Sequence, residues 1–212
     1  LVEHLVWDQG VAGSNPVFRI IFFEGTMIQM GKTYKVVHMV SRNKDNVGLE
    51  GFKPRNKTFV SSKTKEELMS DFNHFASMGV EGEKSRLYET VNSRNMNFVR
   101  KSLQHYLVDH EDLDLEKVES LVASLAAKEG SRDTRKFLFD ADLASTEELN
   151  LFVLDLFFFC KLREAEVEVY KTPNGFGVVT DRGFDTRDLL EKWSDVSLHR
   201  DGMRFLSMFE NL

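Results

Sequence analysis

Apolar and polar positions first fall into a strand-like order over residues 34–40, YKVVHMV, which is rich in β-branched and aromatic side chains. The polar stretch after it, SRNKDNVGLEGFKPRNK, carries Gly and Pro and reads as a loop, and KTFVS (57–61) reads as a short second strand. At Thr64 the period changes. Thr64 and Glu67 make a capping box, and Leu68, Phe72 and Phe75 share one face, which predicts a helix to about Met78. SRLYETV (85–91) alternates again, with Leu87 on one face and Arg86, Tyr88 and Thr90 on the other. Asn92-Ser93 then opens a helix carrying Met96, Val99, Leu103 and Tyr106-Leu107. A further helix is capped by Asp114, striped by Leu115, Val118, Val122 and Leu125, and stopped by Gly130.

TRKFLFD (134–140) is a strongly apolar strand, expected to be central, and Ser145 with Glu148 opens a Phe-rich helix to about Arg163. AEVEVYK (165–171) and GFGVVT (175–180) pair as a hairpin across Thr172-Pro173-Asn174. Phe184 and Leu189 staple a helix over residues 185–193 with Asp185 as its cap, and MRFLSMF (203–209) is the last strand. Helices, strands and a hairpin in this mixture predict an α+β fold with a mixed β-sheet core flanked by helices.

Composition narrows the functional classes. The 212 residues are 42% apolar and 29% charged, as in a soluble globular chain, and they suit a single domain. A net charge of −6 argues against a non-specific nucleic-acid coat and leaves room for a local basic groove. The one cysteine, Cys160, excludes an internal disulfide and a Cys-based zinc site, and reads as a buried small hydrophobe. The most apolar run, LNLFVLDLFFFCKL, is broken by Asp155 and is too short for a bilayer, so a core helix is expected, with no membrane partner and a cytoplasmic location.

Residues 1 to about 22 pose a separate question. Gly13-Ser14-Asn15-Pro16 can be encoded by GGTTCGAATCC, a tRNA T-arm; Trp7-Asp8 fits an anticodon region; and Leu1-Val2-Glu3-His4 fits a D-arm. The segment resembles a translated proline-type tRNA gene, as found beside genes in phage and integrated elements. Residues 1–26 are accordingly expected to be a non-native or disordered extension without a catalytic role, and residues 27–212 the domain.

The strongest chemical signal is FLFDADLAS. Asp140 and Asp142 lie two apart at the end of a buried strand, so both point to one side. Two adjacent carboxylates repel unless a cation lies between them, and Mg²⁺ or Mn²⁺ is the natural occupant; the competing reading is a strand-ending turn or helix cap. Arg86 and Arg94 offer planar forks for phosphates, or are surface arginines. Lys171 beside the Asn174-Gly175 turn offers a point charge with backbone N–H groups, or a plain hairpin turn. His38, His74, His105, His110 and His199 read as structural or surface residues, and no nucleophile-elbow, P-loop or zincin pattern occurs.

Taken in order, R-x-Y and N-x-R, an apolar strand ending in D-x-D, a long helix, a K-x-P-N-G-aromatic turn, a short helix and a last strand resemble the archaeo-eukaryotic primase superfamily. The likeness is to its small, phage-type primase-polymerase members, over residues 84–209. It implies a primase-like core that transfers nucleotides onto nucleic acid in phage DNA replication, with a replication protein as a further partner. It also implies that Asp140 and Asp142 bind the catalytic Mg²⁺ or Mn²⁺ and that Asn174-Gly175 approach the phosphates. A third acid would be Asp195 or Asp201. The chain departs from the pattern at Gly177, where the family's turn presents a histidine. Two other readings stay open: an inactive relative that binds nucleic acid or a protein, and an unrelated α+β domain whose D-x-D is a turn.

Overall fold

The computed structural model describes residues 19–23, 26–30, 32–110, 114–160 and 167–211, with side chains from residue 32 onward. The chain divides into two units, Leu1–Lys32 and Thr33–Leu212. In the first, β1 (Arg19–Phe23), in the segment expected to be disordered, pairs with β2 (Thr26–Met30), at the expected start of the domain, as an antiparallel hairpin. Of the tRNA-like residues 1 to about 22, those before residue 19 lie outside the described residues.

The second unit is α+β, with two four-stranded antiparallel sheets and five helices among the described residues. The first sheet has the order β10-β5-β3-β4, from β3 (Lys35–Ser41), β4 (Arg55–Ser61), β5 (Lys84–Thr90) and β10 (Met203–Glu210). α1 (Lys65–Ser77) starts at the predicted capping box, in which Thr64 accepts from Glu67 N and Glu67 accepts from Thr64 N. Its Leu68, Phe72 and Phe75 bury Val37, Met39 and Leu87 on one face of this sheet. α2 (Met96–Asp109) is capped by Asn95, three residues later than the sequence indicates. With α3 (Val118–Ala126), it packs over Val36. Gly130 does not stop α3, which ends four residues earlier; a Cβ at 130 would press on the Phe98 ring.

The second sheet has the order β7-β8-β6-β9, from β6 (Phe137–Ala141), β7 (Val167–Lys171), β8 (Phe176–Thr180) and β9 (Val196–His199). β6 is central, as expected. With α4 (Thr146–Cys160) after β6 and α5 (Arg187–Lys192) after β8, the connections follow the β-α-β-β-α-β order of a split β-α-β unit. In such a unit each helix crosses over an intervening strand. Parallel strands are thereby kept apart, and this is why the second sheet is wholly antiparallel where a mixed one was expected. β9 is absent from the sequence-based elements, and α5 begins two residues later than expected, although Asp185 still accepts from Arg187 N.

Phe139 and Ala141 face α4 and α5 in a core with Phe152, Leu156, Val178 and Leu189. Asp155, the break in the apolar run, accepts from Trp193 Nε1 at 2.8 Å and pairs with Lys192 at 2.6 Å, tying α4 to α5. The predicted end of this helix near Arg163 lies outside the described residues, as does the Cys160 side chain. No described helix is long and apolar enough to cross a membrane.

The opposite face of the second sheet meets the first sheet. Leu138, Val179 and Val91 form a small core between them, with Tyr170 packed against it. A polar clasp lies beside it. The Asn92 side chain, wholly buried, donates to Lys136 O and to Asp201 Oδ1, both at 3.0 Å, and accepts from Lys136 N at 2.6 Å. Arg94, 3% exposed, grips Asp201 with two N–H donors at 2.8 and 3.0 Å. The clasp joins the end of β5 to one end of the second sheet, where β6 begins and β9 has just ended.

Candidate functional site

Beyond the clasp the two sheets enclose a cavity of about 530 Å³. Strand parity decides what enters it. The register aligns Tyr170, Gly177, Asp140 and Ser197 across β7, β8, β6 and β9, so these four positions face one way, while Phe139 and Ala141 face the helices. Asp140 and Asp142 therefore share the cavity wall, as the spacing predicts. Among the described residues, neither carboxylate accepts a hydrogen bond or pairs with a cation. Burial pushes the Asp140 carboxyl above its ordinary value, the Asp142 charge adds to this, and His199 opposes it. That is an acidic pair whose repulsion the protein leaves uncompensated.

The facing wall is cationic. Arg86 from β5 and Arg42 and Lys44 from the loop after β3 line it. Asp45 lies among them, bonded to both Arg42 and Arg86. Burial works to raise the Asp45 pKa, but those two bonds outweigh it and hold it below the usual carboxylate range. One carboxylate shared between two guanidiniums, with Lys44 beside them, leaves this wall with an excess of positive charge. Tyr88, Tyr170 and Phe205 supply aromatic surface, Tyr88 and Phe205 meeting edge to face at 5.8 Å.

The hairpin turn closes one side. Thr172, Pro173 and Asn174 line the cavity, and Thr172 N donates to Gly175 O at 2.9 Å. Gly175 has no left-handed backbone to require it; positive φ occurs among the described glycines at 48, 51 and 82. Close approach requires it instead. A Cβ at 175 would run into Ala141 O and come within 3.0 Å of Asp142 Cα, so the turn is seated directly on the end of the D-x-D strand. Gly175→Ala should therefore cost about 1–3 kcal/mol by overpacking and displace Asp142. Chemical denaturation, with the amide resonances of 141–143 as a local readout, checks this.

Gly177 has a different reason. The Tyr170 ring lies across it, occupying the space that a side chain at 177 would need. The ring is held in turn by Arg204, whose guanidinium sits 5.0 Å from its centroid and pairs with Glu168 at 2.5 Å. Burial raises the Tyr170 hydroxyl to a pKa of about 12.

Other sequence candidates are placed elsewhere. Arg94 is committed to Asp201 inside the clasp and does not line the cavity; as a phosphate contact it is corrected to a buried structural cation. Asp201 does reach the cavity, but with both oxygens engaged by Arg94 and Asn92. Asp195 is exposed away from the cavity, its backbone O accepting from Asp142 N at 3.0 Å. Lys171 is exposed outside the cavity. Among the described residues no three of His, Cys, Asp and Glu are grouped to hold a metal.

No family model, curated protein or solved structure matches the chain.

Sequence reasoning missed Arg42, Lys44, Tyr88, Tyr170, His199 and Phe205 as lining residues. His199 had a usable signal. In VSLH it is two residues from Ser197, which pairs with Asp140, so alternation places it on the Asp140 face once β9 is recognised.

Proposed function

We propose that the chain is a metal-dependent nucleotidyltransferase of primase-polymerase type, acting on nucleotides and nucleic acid. One observation carries this reading: two unpaired carboxylates, Asp140 and Asp142, face the cationic wall of Arg42, Lys44 and Arg86 across a single cavity. The acidic pair fits Mg²⁺ or Mn²⁺ as two ligands of six, with water and substrate oxygens for the rest. Asp140 and Asp142 would hold such a cation, which would supply charge neutralisation at an α-phosphate as a 3′-hydroxyl displaces pyrophosphate. Arg42, Lys44 and Arg86 neutralise the leaving phosphates, and Tyr88, Tyr170 and Phe205 give a base an aromatic surface. Gly175 keeps the turn low enough for a substrate to lie over the strand end.

The lack of a grouped third acid among the described residues and the covered Gly177 favour a second reading, an inactive primase-like relative that binds nucleic acid or a protein partner without joining nucleotides. One assay separates the two. Primer extension and de novo synthesis with Mn²⁺ and labelled nucleotides should give product with the wild type and none with Asp140→Ala. Equal product from both rejects catalysis at this site; no product from either supports the second reading.

A further inference from the structure

A second cavity, of about 480 Å³, opens on the helical face of the second sheet. Arg132, Arg135, Arg182 and Arg200 converge on it from three segments: the stretch leading into β6, which holds the first two, the loop after β8, and the residue after β9. In a chain of net charge −6, four guanidiniums around one cavity are a marked local reversal. Glu129 is the single carboxylate among the lining residues, and it is paired with Arg132. Arg132 also donates to Arg200 O at 3.2 Å, which fixes that part of the rim. Arg135, Arg182 and Arg200 are exposed, and among the described residues their guanidiniums form no ion pair or hydrogen bond. The floor is aromatic. Phe137 and Phe184 are both half-buried here, and Phe184 stacks on the buried Phe139 at 6.2 Å between centroids. Gly183 lets the backbone lie on the Phe137 ring, where a Cβ would come within 2.8 Å of Cζ, so the loop keeps low and leaves the cavity open.

We infer that this cavity binds a segment of single-stranded nucleic acid, with phosphates on Arg135, Arg182 and Arg200 and a base against Phe137 and Phe184. Unpaired arginines spread over a rim suit a chain of phosphates better than one small anion. An aromatic floor suits an unstacked base, which a duplex does not present. The Asp140 cavity lies on the opposite face of the same sheet, so strand binding here needs neither the acidic pair nor its metal. The choice of nucleic acid over other polyanions rests on the nucleotidyl-transfer reading of the first cavity.

The test is fluorescence anisotropy with labelled 12-mers of thymidylate and uridylate, the matching duplex, and a sulfated polysaccharide, over a salt series without divalent metal. The wild type should bind the single strands more tightly than the duplex or the polysaccharide. Replacing Arg135, Arg182 and Arg200 together by Gln should weaken binding at least about tenfold and reduce the log–log salt slope by about 0.7 for each phosphate that is no longer neutralised. These side chains are exposed, and an unchanged melting temperature shows that the variant is folded. Unchanged affinity and slope in the variant, equal binding of the polysaccharide, or preference for the duplex each overturns the inference. Asp140→Asn should bind the 12-mers like the wild type. Loss of incorporation with retained strand binding therefore reports on the first cavity alone, and the reverse pattern on the second alone.

Discussion

Asp140→Asn should lower nucleotide incorporation on the order of 10³-fold and at the same time raise the melting temperature at neutral pH. The first effect follows from losing several kcal/mol of charge stabilisation, at about 1.4 kcal/mol per tenfold in rate. The second follows from the electrostatics of the pair. In the folded protein, burial and the Asp142 charge raise the Asp140 pKa above 3.8. A group with a raised folded-state pKa gives stability that is present below its unfolded pKa and lost as pH rises through the folded value. The wild type should thus lose stability between pH 3.8 and the raised value, and the amide substitution removes that component of the profile. Mn²⁺ should raise the wild-type melting temperature and leave the variant's unchanged. A merely structural aspartate in a strand-ending turn would behave in the opposite way, losing stability on replacement.

Asp201→Ala should destabilise the fold by about 3–5 kcal/mol, the cost of stranding a buried guanidinium. Arg94 has a side chain only 1% exposed, so without Asp201 its charge is left buried with no carboxylate partner. Asn92 loses an acceptor in the same step. Replacing both partners by apolar residues, Arg94→Met with Asp201→Leu, should recover much of the loss, because no charge is then left unpaired. Guanidinium denaturation of Arg94→Met, Asp201→Leu and the double variant measures the coupling. If Asp201→Ala instead keeps wild-type stability and loses activity, Asp201 acts as the third acid and the clasp is dispensable.

How much of the fold and site is legible in the sequence depends on the range of the interaction. The α1 capping box and the shared face of Asp140 and Asp142 are set within four residues, and period and spacing reveal them. Ser145 also caps α4, though its Glu148 partner accepts from Ala144 N. β9 escapes notice because four residues hardly show alternation, and its register comes from β6, not from its own sequence. Two sheets look like one because alternation says which face is buried and not against what. The pairing of Arg94 with Asp201 spans 107 residues, which no local pattern encodes, so both read as site residues. Arg42 and Lys44 sit in a polar loop whose composition signals only exposure; the neighbouring Asp45–Arg86 bond gives that loop its position.

The ring of Tyr170 lying over Gly177 ties two positions on neighbouring strands into one unit of sequence change. A histidine at 177 would displace the Tyr170 ring, which fills the space above the strand from β7. A side chain at 177 is thus coupled to the one at 170, since the tip of the ring must leave the strand surface before 177 can carry one. Swapping them together, Tyr170→Gly with Gly177→His, is therefore the shortest route by which this site would acquire a histidine facing the acidic pair.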